Sequence, residues 1–197
     1  SGVNVDYVSI CSPNYLHDAH IRFGLRIGSN VICEKPLVIS PWNCDALDKM
    51  QTKSKGNIYS ILQLRYHESI QRLKNNLDDK KHKIKLKYIT SRGKWYSHSW
   101  KGDILKSGGL IMNIGIHFFD MLIWLFGGVL DSTSAYNTED HVSGNLMLER
   151  ADIEWELSTN ESLLPIGHEK TYRCITIDGE ELEFSEGFTE LHTKSYS

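Results

Sequence analysis

An excess of charge of either sign is the first thing this sequence lacks. Its 22 lysines and arginines stand against 25 aspartates and glutamates, a formal net charge of −3 with a pI near 6.3. That balance leaves no electrostatic footprint for nucleic acid or an anionic membrane surface, and neither is expected as a partner. Cysteine is scarce. Cys11, Cys33, Cys44 and Cys174 form no CxxC pair and no zinc spacing, so neither a disulfide framework nor a metal site is expected. Cys11 and Cys33 lie in apolar runs, where a thiol packs as a small hydrophobe. The sequon Asn160-Glu161-Ser162 matters only in a secreted chain, and no signal-peptide pattern is visible. The expected setting is reducing and cytoplasmic. Internal repeats and low-complexity segments are also missing. One apolar run, residues 110–130, is long enough to span a bilayer. Asn113, His117 and Asp120 interrupt it, however, and an acid near the centre of a membrane helix costs roughly 2.5–3.5 kcal/mol. A helix in a protein core is the expected reading.

What is present alternates strand and helix over the first third. Val5 to Cys11 is an apolar β run, turned by Ser12-Pro13-Asn14. Residues 15–28 read as a helix, 30–33 as a short strand, and Ser40-Pro41 as the cap and first residue of a second helix. Residues 57–66 read as a third strand. Near-continuous apolar strands joined by helices imply a parallel sheet with right-handed crossovers. From residue 67 the pattern changes to a helix over 67–79, a charged stretch, a strand over 85–97 and an apolar helix from Gly109 to Phe126. Strands follow at 132–137, 141–149, 151–159, 172–178 and 181–186, with Asp178-Gly179 as a hairpin turn. The expectation is α/β plus α+β. Residues 1–66 would be the second half of a Rossmann-type parallel sheet, and 67–197 a C-terminal α+β domain with a large, mainly antiparallel sheet. The chain opens inside a strand pattern and closes in an interrupted helix, so it is expected to be a piece of a longer protein.

Three groups of residues could carry chemistry. Ligands bind open parallel sheets beyond the carboxyl ends of the strands, where Ser12-Pro13-Asn14 and Glu34-Lys35-Pro36 both fall. A lysine partly desolvated there suits proton handling; on residues alone, Glu34 and Lys35 serve equally well as a surface ion pair. Asn113, His117, Asp120 and Trp124, at i, i+4, i+7 and i+11, fall on one stripe of the apolar helix. That stripe is either a satisfied core network or a site opened by Gly108-Gly109. Residues 91–109 mix tryptophans, a tyrosine, an arginine and lysines, which suits an anionic, ring-bearing ligand or an aromatic flap over the sheet.

Together, the quoted stretches "SPNYLHDAHI", "NVICEKPL" and "GGLIMNIGIHFFDMLIWLFG" resemble the oxidoreductase superfamily that includes glucose–fructose oxidoreductase and inositol dehydrogenase. "NIGIHFFD" with "WYSHSWKGD" is similar to the branch that oxidises C3 of UDP-N-acetylglucosaminuronic acid in surface-polysaccharide synthesis. Asn113 stands where many members carry aspartate. The resemblance implies NAD as cofactor, with Ser12, Pro13, Asn14, His17, Glu34 and Lys35 beside the nicotinamide and its ribose. It implies Lys35 and His117 as catalytic residues, the division of labour between them being open. It further implies a nucleotide-sugar substrate contacted by Asn113 and His117, and more loosely by Arg65, Tyr66, Trp95, Lys101 and Lys106. A homo-oligomer, dimer or tetramer, through the C-terminal sheet would be typical. An inositol or free-aldose dehydrogenase and a non-catalytic assembly module are the rival readings. No GxGxxG fingerprint occurs within the 197 residues, so this piece alone is expected to be inactive and to bind no NAD.

Overall fold

The computed structural model describes residues 4–182 and 187–196. Strands β1 (Tyr7–Ile10), β2 (Asn30–Cys33) and β3 (Ile58–Ser60) form a parallel sheet in that order. Helices α1 (His17–Arg26) and α2 (Pro41–Gln51) make the crossovers. Ser40 is extended at φ −105°, ψ 128° and Pro41 opens the helix, where its missing N–H costs nothing. Ile10, Ile21, Leu25, Val31, Cys33, Val38 and Leu47 close this first core.

The third strand is shorter than its apolar run implies. Only Ile58–Ser60 pairs with β2, and Gln63–Tyr66 coils into a 3₁₀ turn. The reason is packing: Leu64 leaves the first sheet and joins the core of the second.

Beyond α3 (Glu68–Asn76) lies the second sheet, of β4 (His82–Thr90), β5 (Val129–Asn137), β6 (His141–Leu148), β7 (Ala151–Ser158), β8 (Thr171–Ile177) and β9 (Glu180–Glu181). Its order is β5-β6-β7-β4-β8-β9, antiparallel throughout except for the central β4–β7 pair. Asp178 (φ 52°) and Gly179 (φ 91°) make the turn between β8 and β9. Residues 183–186 of the expected last strand lie outside the described residues. Strands β4 and β7 alternate inward apolar with outward charged residues. Outside, Lys85 meets Glu154 at 3.5 Å and Lys87 meets Glu156 at 2.9 Å. Inside, Ile84, Leu86, Ile153, Trp155 and Leu157 pack on the long apolar helix.

The stretch from Ile104 to Phe126, 23 residues, is long and apolar enough to cross a membrane by length and composition. Gly108 (φ 80°) and Gly109 (φ 69°) break it, however, and the long helix begins only after Gly108. Here its Leu110, Ile114, Phe118, Met121, Leu122, Leu125 and Phe126 are buried in the core against the sheet. It is not uniform. A π-helical segment, Ile111–Gly115, precedes the regular α-helix of Ile116–Phe126. The expected strand over 85–97 stops at Thr90. Gly93 at φ 67° turns the chain into α4 (Lys94–His98), and Asp103 caps α5 (Ile104–Ser107) by accepting from the Leu105 N–H. The aromatic and basic stretch 91–109 thus carries two short helices. We number the regular helix Ile116–Phe126 as α6 and the closing helix Leu191–Tyr196 as α7.

Glycine is required where β5 crosses β6. A Cβ on Gly144 would stand 2.1 Å from the Thr133 carbonyl oxygen and 2.7 Å from Trp155 Cζ2. Gly144→Ala is therefore expected to push β5 off the sheet and cost about 1–3 kcal/mol. Denaturant unfolding measures it; an unchanged midpoint would show that the edge strand yields freely.

Candidate active site

Parallel pairing brings the carboxyl ends of β1 and β2 to the same edge, so their two turns lie side by side. The Glu34 N–H donates to the Ile10 carbonyl at 2.9 Å. His17 braces the pair from below. It is fully buried, with Nδ1 2.7 Å from the Pro36 carbonyl oxygen and Nε2 2.8 Å from that of Ser12. Each ring nitrogen thus faces a backbone carbonyl, and His17 acts on anything bound there through the turns it holds. Pro13 sits in this turn, and Ser12 Oγ lies 2.9 Å from His20 Nδ1. Asn14, also buried, donates through Nδ2 to the Ser107 carbonyl at 2.9 Å, tying the first sheet to α5. Glu34 Oε1 lies 3.5 Å from His192 Nδ1 on α7.

Lys35 crosses from the first sheet into the second domain. Its Nζ donates to the Asn113 carbonyl at 2.6 Å. Burial is the main reason its ammonium is pulled down to about 8; the Glu34 carboxylate opposes this, while Lys101 and Arg92 add to it. His117 is pushed down to about 3, first by burial and then by the charges of Lys35 and His192. The imidazole is therefore neutral across the physiological range.

Lys35, Asn113 and His117 line one cavity of about 220 Å³, together with Gln63, Tyr88, Arg92 and Arg173. Three buried side-chain atoms there, Gln63 Oε1, Arg92 Nε and His117 Nδ1, have no hydrogen-bond partner. Buried polar atoms are nearly always paired. A cluster of unpaired ones around a single cavity is the pattern of a site shaped for a ligand. Among the described residues no group of acids, histidines or cysteines could hold a metal ion.

The other expected contacts lie elsewhere. Arg65 grips Asp120 with both ends of its fork, Nε on Oδ2 at 2.7 Å and Nη2 on Oδ1. Asp120 is thereby spoken for, and Asn113 donates to the Tyr96 hydroxyl at 2.9 Å. The polar stripe on the apolar helix is therefore no shared network: Asn113, Asp120 and Trp124 each face a different partner, Trp124 lying under Lys74 at 5.0 Å, and His117 Nδ1 has none. Tyr66 and Trp95 are exposed. Lys101 Nζ stands 5.6 Å from the ring centres of Trp95 and Trp100 and lines a neighbouring hollow of about 190 Å³. Lys106 pairs with Asp103 at 3.0 Å on the surface.

Gln63, Tyr88, Arg92 and Arg173 were not singled out by the sequence reasoning. For Arg173 a signal existed: it shares the inward-facing register of β8 with Ile175 and Ile177, both packed in the core or against it. A cation at such a position needs a reason.

Residues 1–62 match the family described as "Oxidoreductase family, NAD-binding Rossmann fold", and residues 80–192 match its "C-terminal alpha/beta domain". Among solved structures, the WlbA (WbpB) dehydrogenase from Thermus thermophilus in complex with NAD and UDP-GlcNAcA is 47% identical. Its TM-score is 0.91, covering 98% of this chain and 64% of that one. Inositol 2-dehydrogenase of Rhizobium meliloti is 24% identical over 181 residues, 86% of this chain and 54% of the relative. D-glucoside 3-dehydrogenase of Escherichia coli is 26% identical over 129 residues, 64% of this chain and 37% of the relative. The chain thus spans about half or less of the length of these two curated relatives.

Proposed function

This chain belongs to the GFO/IDH/MocA oxidoreductase family, whose cofactor is NAD, and from that premise we propose that it serves oxidation of a sugar hydroxyl, at C3 of UDP-N-acetylglucosaminuronic acid. The observation that carries the proposal is Lys35 Nζ reaching the Asn113 carbonyl in the cavity that His117 also lines. Identity of 47% to a dehydrogenase solved with that nucleotide sugar supports the substrate.

The two turns at the sheet's carboxyl edge fit the nicotinamide end of the cofactor. Ser12, Pro13, Asn14, Glu34 and Lys35 belong to these two turns, whose spacing His17 and the Glu34 N–H fix. When bound, NAD supplies the hydride acceptor. The proton is this chain's task. As a neutral amine, Lys35 donates to the Asn113 carbonyl and keeps a lone pair for the substrate hydroxyl, whose proton it accepts as the C–O bond becomes a carbonyl. His117, held neutral, orients that hydroxyl. A group that ionises near 8 is well matched to proton transfer at neutral pH, whereas one near 3 is a poor acceptor. The role of Asn113 is to hold the amine and the Tyr96 hydroxyl in place. Residues on the flap, Trp95 and Lys101 among them, would meet the nucleotide further out, with Arg65, Tyr66 and Lys106 more peripheral still. The whole protein would work in the cytoplasm in surface-polysaccharide synthesis, as a dimer or tetramer joined through the C-terminal sheet.

NADH absorbance with purified whole protein tests the substrate. UDP-N-acetylglucosaminuronate is expected to exceed neutral UDP-N-acetylglucosamine in kcat/KM by at least about 10-fold, the low end for a lost charged hydrogen bond. Turnover of myo-inositol or glucose in preference to both would replace this reading with a free-polyol dehydrogenase.

A further inference from the structure

We infer that Arg92 is a specificity-determining residue that binds the carboxylate of the substrate's sugar ring; the inference rests on the uronate reading above. Its backbone is held on one side and turned on the other. The N–H of Ser91 donates to the Lys170 carbonyl at 2.8 Å, and Ser91 Oγ donates to Glu161 Oε2 at 3.0 Å. Directly after it, Gly93 at φ 67° takes the chain away into α4. The side chain of Arg92 then lines the same cavity as Lys35 and His117, with its Nε buried and unpartnered.

The charge balance of that cavity is one-sided. Lys35, Arg92 and Arg173 all line it, and no aspartate or glutamate does so among the described residues. Arg173 is held by stacking, its guanidinium 5.3 Å from the Tyr88 ring centre and 4.2 Å from that of Phe188. A buried cation is costly unless it is paired and hydrogen-bonded, and Arg92 Nε has no hydrogen-bond partner, so a carboxylate set against it is favoured. A guanidinium offers a planar fork that matches a carboxylate in two parallel hydrogen bonds, which an ammonium cannot copy.

The anion in question is the ring carboxylate rather than the diphosphate because of size and place. About 220 Å³ beside the proton-handling amine accommodates a sugar ring and its substituents, not a nucleotide. A group reaching Arg92 from there is attached to the ring being oxidised.

Steady-state kinetics on whole protein test the inference, using UDP-N-acetylglucosaminuronate and neutral UDP-N-acetylglucosamine with wild type, Arg92→Leu and Arg92→Lys. Wild type should prefer the uronate. In Arg92→Leu that preference should fall by about 10- to 100-fold, the range for a hydrogen bond to a charged group. Arg92→Lys should recover part of it, since charge is kept and the fork lost. Should Arg92→Leu fail to fold, a full wild-type preference in Arg92→Lys overturns the assignment and a reduced one supports it. Equal losses on both substrates would mean that Arg92 holds the diphosphate, and overturn it. An unchanged preference in Arg92→Leu overturns it while the uronate reading stands. A wild type without preference removes both.

Discussion

Lys35→Met in the whole protein should lower kcat by about 10²–10⁴-fold, the range of a positioned general acid or base. Methionine is the informative replacement. It has similar length and fills the apolar part of the site, but carries neither the charge nor the lone pair. NAD affinity should survive, because the turns at residues 12–14 and 34–36 are held by His17 and by the Glu34 N–H, neither of which the substitution touches. The pH profile gives a second measurement on the same group. With the ammonium pulled down to about 8, the amine is protonated and has no lone pair below that value. Activity of the wild type is therefore expected to rise as pH increases through about 8 and to level off above it. Near-normal turnover of Lys35→Met, or a rate that falls through the same interval, would take the lysine out of proton transfer.

His117→Asn should slow turnover by roughly 100-fold, at the modest end of the same range, with little loss of stability. The combination is unusual for a buried position, and the structure explains it. Removing a shared hydrogen-bonding partner normally strands its neighbours at about 1–3 kcal/mol each. Asn113 and Asp120 are not stranded here, because they bond to Tyr96 and Arg65. His117 Nδ1 itself has no partner to lose. Thermal unfolding of His117→Asn alongside its kcat separates the possibilities: a large drop in Tm with full activity in the folded fraction would make this a core histidine. Since the imidazole is held near 3, it should contribute no inflection to the activity profile between pH 5 and 8.

Much of the fold could be read from sequence because it depends on local pattern. The four-residue strand Asn30–Cys33, the Ser40-Pro41 helix start and the Asp178-Gly179 turn fall where residue chemistry puts them. What could not be read is decided between distant segments. The parallel pairing of β4 with β7 in a mainly antiparallel sheet leaves no mark on either strand. The early end of β3 depends on Leu64 finding a place in another core. The site divides the same way. Lys35 and His117 stand out as polar groups in apolar runs, whereas Arg92 looked like one more charge in a charged flap. Only the position of its unpaired Nε in a cavity 57 residues along the chain from Lys35 distinguishes it from Arg65, whose guanidinium is already taken.

The π-helical segment at Ile111–Gly115 sets a constraint on chain length. In a regular helix each residue advances the phase by about 100°, and a π segment accommodates one residue more per turn than its neighbours. Asn113 lies inside that segment, and its carbonyl is the one that receives Lys35. Deleting a single residue from 111–115 would let the helix regularise with its two flanks close to their present phase, because about four α-helical residues sweep the angle of one π turn, so the change would fall on the segment itself. The Asn113 carbonyl would be drawn into the regular helical ladder and away from the amine, and Tyr96 would lose the Asn113 amide. The exposed turn at 138–140 between β5 and β6 sits under no such constraint. Insertions and deletions should therefore be tolerated at that hairpin tip and excluded from residues 111–115, where the number of residues itself decides whether the Asn113 carbonyl is free to meet the amine.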